Sequence, residues 1–255
     1  MLFNVLWVLG GFIKLFTYKK CKWRIVGGTE VSPKFSYPWL VTLKLSTWIV
    51  CGGTLINSNT VITAAHCMIA ENENWTVLVH RHNITLPSAE ENGAEYKVVN
   101  RTMHPKYIDS PTGFDISIWK VEPSKKLDID FSVLKFDTEG IYKKENQLLK
   151  VAGWGTIAKS GAYSPVLLET KLPVFNFDKC KSIYKQLDSS EFCAGYVEGT
   201  KDTCQGDSGG PVFITAKGKV TLVGIISRGE GCAKVGYPGV YTSIAEVRDF
   251  IDQNI

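Results

Sequence analysis

The chain predicts an all-β fold closed by a C-terminal helix, and three observations carry that prediction. Short runs rich in β-branched and aromatic residues are separated by clusters of Gly, Pro, Asn and Ser, the punctuation of sandwiches and barrels. No repeat of about 20 to 50 residues, no Ser/Gly linker and no long charge block divides the 255 residues, so from Ile25 onward they read as one compact unit. Near the end, the spacing of apolar residues changes to the helical period.

The β-rich runs come in order at Leu40 to Leu45, Trp75 to Val79, Val133 to Phe136, Val212 to Ile214 and Val220 to Ile226. A short helix is expected around Asp178 to Gln186. Ile244, Val247, Phe250 and Ile251 recur at helical spacing with Glu246, Arg248 and Asp249 between them. That pattern predicts an amphipathic helix over residues 244–254.

Composition narrows the function classes. With 44% apolar and 21% charged residues the chain is an ordinary globular protein, neither disordered nor collagen-like. The net charge of +4 is local: residues 1–24 hold Lys14, Lys19, Lys20, Lys22 and Arg24 and no acid, leaving 24 basic against 25 acidic residues from Ile25 onward. A body so nearly neutral has no electrostatic case for binding nucleic acid. The longest apolar tract, Leu2 to Ile13, is interrupted by Lys14 and is shorter than the roughly 20 residues a membrane-spanning helix needs. It has the length of a signal-peptide hydrophobic region without a basic start, and is read as an atypical secretory leader. Seven cysteines with no C-x-x-C pair fit an oxidising, extracellular compartment better than zinc or thioredoxin chemistry. Sequons at Asn74, Asn83 and Asn100 are compatible with a secreted surface.

The strongest chemical signal is Gly206-Asp207-Ser208-Gly209-Gly210-Pro211, in which small neighbours leave a serine hydroxyl accessible on a sharply turning backbone. It also satisfies the Gly-x-Ser-x-Gly elbow of α/β-hydrolases, whose histidine follows the serine in the chain. Here His66, His80, His82 and His104 all precede Ser208. Any Ser-His-Asp machinery must therefore run histidine first and serine last. Spacing leaves Asp109, Asp115 and Asp128 open as the carboxylate, although the apolar setting of Phe114, Ile116, Ile118 and Trp119 favours Asp115.

His66 stands in Thr63-Ala64-Ala65-His66-Cys67, behind Cys51-Gly52-Gly53-Thr54-Leu55-Ile56. With Ile25-Val26-Gly27-Gly28, Gly153-Trp154-Gly155, Cys204-Gln205-Gly206-Asp207-Ser208-Gly209-Gly210-Pro211 and Pro238-Gly239-Val240-Tyr241, this ordered set resembles the chymotrypsin-like serine proteases, in particular the trypsin-like branch. The likeness covers the 231 residues from Ile25 to the C-terminus. It implies two six-stranded antiparallel β-barrels, roughly residues 25–135 and 136–243, with the active site between them and the helix 244–254 at the end. Residues 1–24 would be leader and activation segment.

By the same resemblance Ser208 is the nucleophile, His66 the general base and then acid, and Asp115 the carboxylate that orients the imidazole. The amides of Gly206 and Ser208 form the oxyanion hole, where losing a donor typically costs about 3 to 4 kcal/mol of transition-state stabilisation. Asp202, six residues before the serine, floors the primary substrate pocket, and Gly229 and Gly239 leave its walls open. Ser227 and Arg228 line the groove beside it. The implied reaction is endopeptidase cleavage after Arg or Lys, with no cofactor or metal, by a secreted monomer acting on proteins or peptides and open to protein inhibitors. The rival reading is a catalytically silent homologue that serves as a binding protein.

Activation is expected by cleavage after Arg24, freeing an Ile25 α-ammonium that pairs with Asp207 and fixes the turn beside Ser208. The cut site matches the implied specificity, so the zymogen is expected to activate itself. Six cysteines match bridges of the family, Cys51 with Cys67, Cys180 with Cys193 and Cys204 with Cys232, and closing the first loop is worth about 3 kcal/mol.

The sequence departs from the family at five places. Cys21 is the odd cysteine, either removed with the leader, free or bonded to another chain, and removal is the expectation. A further bridge common among relatives is replaced by Leu149 and Ile214, which would pack instead. Arg228 stands where a tryptophan shelf is usual, which weakens the expected preference for apolar residues before the basic one, invites acidic ones and threatens to screen Asp202. His80-Arg81-His82-Asn83 places basic residues where trypsins begin a calcium cage, so no calcium is expected; His80 and His82 share one face if the segment is a strand, where solvent-exposed histidines are expected over a two-ligand transition-metal pair. Pro238 stands where sodium-regulated relatives carry tyrosine, so sodium activation is not expected.

Overall fold

The computed structural model describes residues 25–69, 74–109, 113–156 and 161–255. A two-residue strand, β1 (Thr29–Glu30), is followed by β2 (Leu40–Leu45), β3 (Trp48–Asn57), β4 (Thr60–Thr63), β5 (Trp75–Val79), β6 (Ala94–Met103) and β7 (Ser117–Glu122). Strands β2 to β7 close into an antiparallel barrel in the order β2-β3-β4-β7-β6-β5, so none of them is left as an open edge. Alternation places one face inward: in β6 Ala94 and Tyr96 are buried while Glu95 and Lys97 are exposed. Trp75 and Trp119 meet edge to face inside, with ring centres 5.0 Å apart.

The second half holds β8 (Leu134–Phe136), β9 (Leu148–Gly153), β10 (Leu168–Pro173), the helix α1 (Phe177–Ile183), β11 (Glu191–Ala194), β12 (Pro211–Ala216), β13 (Lys219–Arg228), β14 (Gly239–Ser243) and the closing helix α2 (Arg248–Asn254). Its sheet runs β1-β10-β9-β12-β13-β14-β11, with β8 added in parallel to β13. Thus six strands, β9 to β14, make the second layer, and β1 joins it from the N-terminal end through Thr29 opposite Glu169. The boundary read from the sequence put residues 29–30 with the first half; their pairing is with the second. The two halves share one apolar cluster in which Trp39 meets Phe213 edge to face at 5.2 Å. That shared packing fixes one half against the other.

All five β-rich runs are strands or lie inside them, apart from Val133, which sits in the turn leading into β8. Both helices differ at their ends. Helix α1 starts earlier and stops sooner than residues 178–186, capped by Asn176, whose side-chain oxygen accepts the Lys179 amide at 3.0 Å. Helix α2 begins at Arg248 rather than 244 because the preceding backbone is still held by the sheet: the amides of Ser243 and Ile244 donate to Ser190 and Val223. Ile244, Val247, Phe250 and Ile251 are nonetheless all buried, as their spacing requires. Leu149 and Ile214 both belong to the apolar cluster of the second half. Among the described residues no helix is long and apolar enough to cross a membrane.

Candidate active site

His66 sits on a single turn, Ala65–Cys67, directly after β4. Asp115 sits just before β7, and both belong to the first barrel. The His66 amide donates to Asp115 Oδ1 at 2.9 Å, and its ring Nδ1 lies 2.7 Å from Oδ2. Ser227, from β13 of the other half, donates its hydroxyl to the same Oδ2 at 2.6 Å. Burial alone would raise this carboxyl, but the hydrogen bonds and charge of His66, with help from Ser227, outweigh it and hold Asp115 below the usual carboxylate range. An ionised Asp115 keeps the ring proton on Nδ1 and leaves Nε2 as an acceptor. The other two aspartates that spacing allowed, Asp109 and Asp128, are exposed.

The loop carrying Ser208 is clamped between the halves. Its carbonyl accepts the Gly52 amide at 2.7 Å and lies 3.8 Å from the sulfur of Cys67, the residue after His66. The Gly209 amide donates to Ile226 at 2.8 Å. A side chain at Gly209 is excluded twice, by φ of +78° and because a Cβ would lie 2.0 Å from the Thr63 hydroxyl oxygen. Among the described residues, the amides of Gly206 and Ser208 donate to no protein acceptor. They flank Asp207 and are otherwise unused donors in the turn that carries the partly exposed Ser208. The three bridges join Cys51 to Cys67, Cys180 to Cys193 and Cys204 to Cys232. The sulfurs of Cys51 and Cys67 come within 4.8 Å of a His66 ring nitrogen, but their mutual bond leaves no thiolate for a metal.

Next to Ser208 opens a cavity of about 150 Å³ lined by Asp202, Ser227, Arg228, Gly229 and Gly239 among others. A Cβ built on Gly229 would point across it, 3.9 Å from the Gly239 Cα. Asp202 is buried, accepts the amides of Thr203 at 2.9 Å and Ala233 at 2.7 Å, and is pushed up to about 6 by burial that those two bonds only partly offset. Asp207 is buried completely. Its oxygens accept the amides of Gly155 at 2.8 Å and Cys204 at 2.9 Å, yet burial pushes it up to about 7. Glycine is required at 153 and 155 because a Cβ at either would strike this carboxylate, at 2.2 and 2.4 Å. Ile25 is fully buried, and the Val26 carbonyl accepts the Asp202 amide at 3.2 Å. Arg24 and Cys21 lie outside the described residues.

The loop at 80–91 departs from expectation. The segment is not a strand: β5 ends at Val79, and His80 has φ of +56°. His80 stacks on Phe35 with ring centres 4.6 Å apart, while His82 is fully buried with Nε2 2.9 Å from Glu30. The expected exposed pair is thus one half-buried and one buried ring in different surroundings. Arg81 turns inward, and its guanidinium donates to Glu91 and Ser88, both at 2.9 Å, and to the carbonyls of Asn83 and Leu86. The carboxylate and carbonyl oxygens of this loop thus converge on a guanidinium. Asn74 and Asn100 are exposed, whereas Asn83 is partly buried with its side-chain oxygen taken by Thr85.

Sequence reasoning missed Glu191. This buried residue, 37 positions from Arg228 along the chain, accepts its Nη2 at 2.9 Å. No local pattern couples the two, because the pairing runs across an intervening strand.

A family model described as Trypsin matches residues 25–251. The chain is 30% identical to the proclotting enzyme of Tachypleus tridentatus over 254 aligned residues, covering 91% of this chain and 66% of that protein, just under two thirds of its length. It is 34% identical to trypsin 5G1 of Aedes aegypti (90% and 84% covered) and 35% identical to a trypsin of Saccharopolyspora erythraea (91% and 98% covered).

Proposed function

The chain belongs to the trypsin family of serine proteases, and from that premise we propose that it is a secreted endopeptidase that cleaves peptide bonds after Arg or Lys through an acyl-enzyme. One observation carries the reading: a single small cavity has Ser208 in its wall together with the buried carboxylate of Asp202. A cationic side chain reaching Asp202 brings its own carbonyl carbon to Ser208. Arg gains most from bidentate pairing there, and Lys does so through a point charge or a bridging water.

In the proposed reaction His66 Nε2 takes the Ser208 proton as Oγ attacks the carbonyl carbon. The imidazolium formed is stabilised by Asp115, which is already ionised and triply hydrogen-bonded. The Gly206 and Ser208 amides receive the carbonyl oxygen as it becomes negative, and no bond within the protein has to break first. His66 then protonates the leaving amine, and water reverses the sequence to free the acid. Every group that a silent homologue would lose is present, which favours catalysis over a pure binding role.

Activation follows the same residues. Cutting after Arg24 would free an ammonium on Ile25, whose side chain is already buried, and give Asp207 the cation that its burial calls for. The cut site satisfies the specificity assigned to Asp202, so the zymogen activates itself. Three disulfides support passage through an oxidising compartment.

The test is turnover of fluorogenic peptides with Arg, Lys, Phe or Ala before the cut bond, using protein cut after Arg24. Cleavage after Arg and Lys alone, with kcat reduced by about 10⁴-fold or more in Ser208→Ala, is expected. Absence of turnover in correctly cut, oxidised protein returns the reading to the silent homologue. Pure Ser208→Ala zymogen that matures as fast as wild type overturns self-activation.

A further inference from the structure

We propose that Glu191 is a specificity-determining residue of the substrate groove: its buried carboxylate neutralises Arg228, so that this cation neither screens Asp202 nor recruits acidic side chains of the substrate. The inference rests on the function proposed above and adds to it a residue that acts through Arg228 rather than on substrate directly.

Arg228 lines the cavity that holds Asp202 and Ser208, and an uncompensated cation there would oppose the very charge meant to recognise Arg or Lys. Its guanidinium is turned aside. Nη2 donates to Glu191 Oε2 at 2.9 Å, with the arginine side chain 15% and the glutamate side chain 1% exposed. The guanidinium carbon stands 5.7 Å from the centre of the Tyr184 ring, a cation–π contact that holds the same orientation.

The sheet explains why the two residues meet. Glu191 opens β11 opposite Thr242 of β14, and Arg228 ends β13 opposite Val240 of the same strand. The ion pair therefore bridges across β14. The Asp188 amide donates to the same Glu191 oxygen at 2.9 Å, and the Ser190 hydroxyl accepts the amide of Phe114, the neighbour of Asp115, at 2.9 Å. This anchoring sets Glu191 firmly behind the groove.

Arg228 and Asp202 line the same cavity, and the Tyr184 ring lies near both. Burial chiefly raises the Tyr184 hydroxyl, but Asp202 raises it further while Arg228 lowers it. Burial raises the Glu191 carboxyl, against the Asp188 amide and Arg228, which pull it down; once it is ionised, the field of Arg228 at Asp202 is that of a dipole and falls off faster than that of a lone charge. Asp202 itself is governed by burial and by the Ala233 and Thr203 amides.

The substitution Glu191→Gln keeps one oxygen that can accept from both Arg228 and the Asp188 amide, removes the charge and puts an amide nitrogen in place of the buried, unpartnered Oε1. The experiment uses activated protein at pH 8 and low salt, with benzamidine as probe of the Asp202 pocket. A positional peptide library with Arg before the cut bond reads the two to four preceding positions. Wild type is expected to bind benzamidine and to show no enrichment of Asp or Glu. In Glu191→Gln, benzamidine binds about tenfold more weakly and acidic peptides gain about tenfold over alanine peptides, both effects shrinking in high salt. The double variant Glu191→Gln/Arg228→Gln loses both changes. The proposal is overturned by acidic enrichment in wild type, an arm that needs no variant to fold, by no change in Glu191→Gln, or by changes that persist in the double variant. Wild type that neither cleaves Arg peptides nor binds benzamidine overturns the proposed function, and this inference with it.

Discussion

Three buried aspartates border the cleft, and the two halves of the molecule treat them in opposite ways. In the first barrel, burial of Asp115 is outweighed by His66 and Ser227, so its carboxyl lies below the ordinary range. In the second half, Asp202 and Asp207 accept two amides each and are still pushed up, to about 6 and about 7. The difference is one of partner. Asp115 has its cation-forming neighbour within its own barrel, 2.7 Å away, whereas the other two sit where amides alone must balance the cost of burial. The first barrel supplies the cation-forming partner of its own aspartate, and the second half adds only the Ser227 hydroxyl. The second half is arranged to receive cations from outside its own sheet: under the proposed function, a substrate side chain at Asp202 and a newly freed chain terminus at Asp207.

If Asp115 serves as the built-in partner of His66, Asp115→Asn should disturb catalysis most. It preserves shape but lets the imidazole adopt the wrong tautomer, and kcat is expected to fall about 10⁴-fold with little change in KM. A loss below about tenfold in single-turnover measurements would break the contrast.

Asp207 gives the next largest effect. Because its carboxyl in the folded, uncut chain is raised, the unfolded chain gives up its proton first, and stability is lost as pH rises from the ordinary carboxylate range toward about 7. That interval corresponds to roughly 4 kcal/mol at most. Cleavage after Arg24 should remove most of this loss by supplying an ammonium. Denaturant unfolding of cut and uncut Ser208→Ala protein from pH 4.5 to 8 measures it, and parallel curves would sink the assignment.

Asp202 should show the smallest effect. Raised to about 6 without a ligand, it must be ionised to hold a cation. Benzamidine affinity is therefore expected to fall by up to tenfold per unit below about pH 6 and to stay flat above about pH 7. Calorimetric titration across that range would sharpen the contrast with Asp115, whose low carboxyl introduces no step there.

Much of this site was legible in the chain because its motifs are local. Gly206 and Gly209 are read as glycines of a tight turn, and each has a positive φ with no room for a Cβ. The Gly153-Trp154-Gly155 motif has its explanation in Asp207, against which both glycines pack. The loop from His80 to Glu91 was misjudged for an equally physical reason. Alternation of His80 and His82 fits a strand, but the guanidinium of Arg81 gathers the oxygens of Asn83, Leu86, Ser88 and Glu91 and folds the segment around itself. Periodicity carries no information about a side chain that turns inward to satisfy a ring of acceptors.

The sequence alone determined the all-β class, the buried face of the C-terminal helix, the family and the candidates His66, Asp115, Ser208 and Asp202. These depend on residue type at short spacing, where backbone conformation and burial leave few choices. Tertiary structure alone decided that Ser227 supports Asp115 from the opposite half, that β1 crosses to the second sheet, and that Arg228 has Glu191 as its counter-charge. Each is a contact between segments 37 or more residues apart along the chain. Which distant charges meet is set by strand order and register, and those follow from the packing of the whole core.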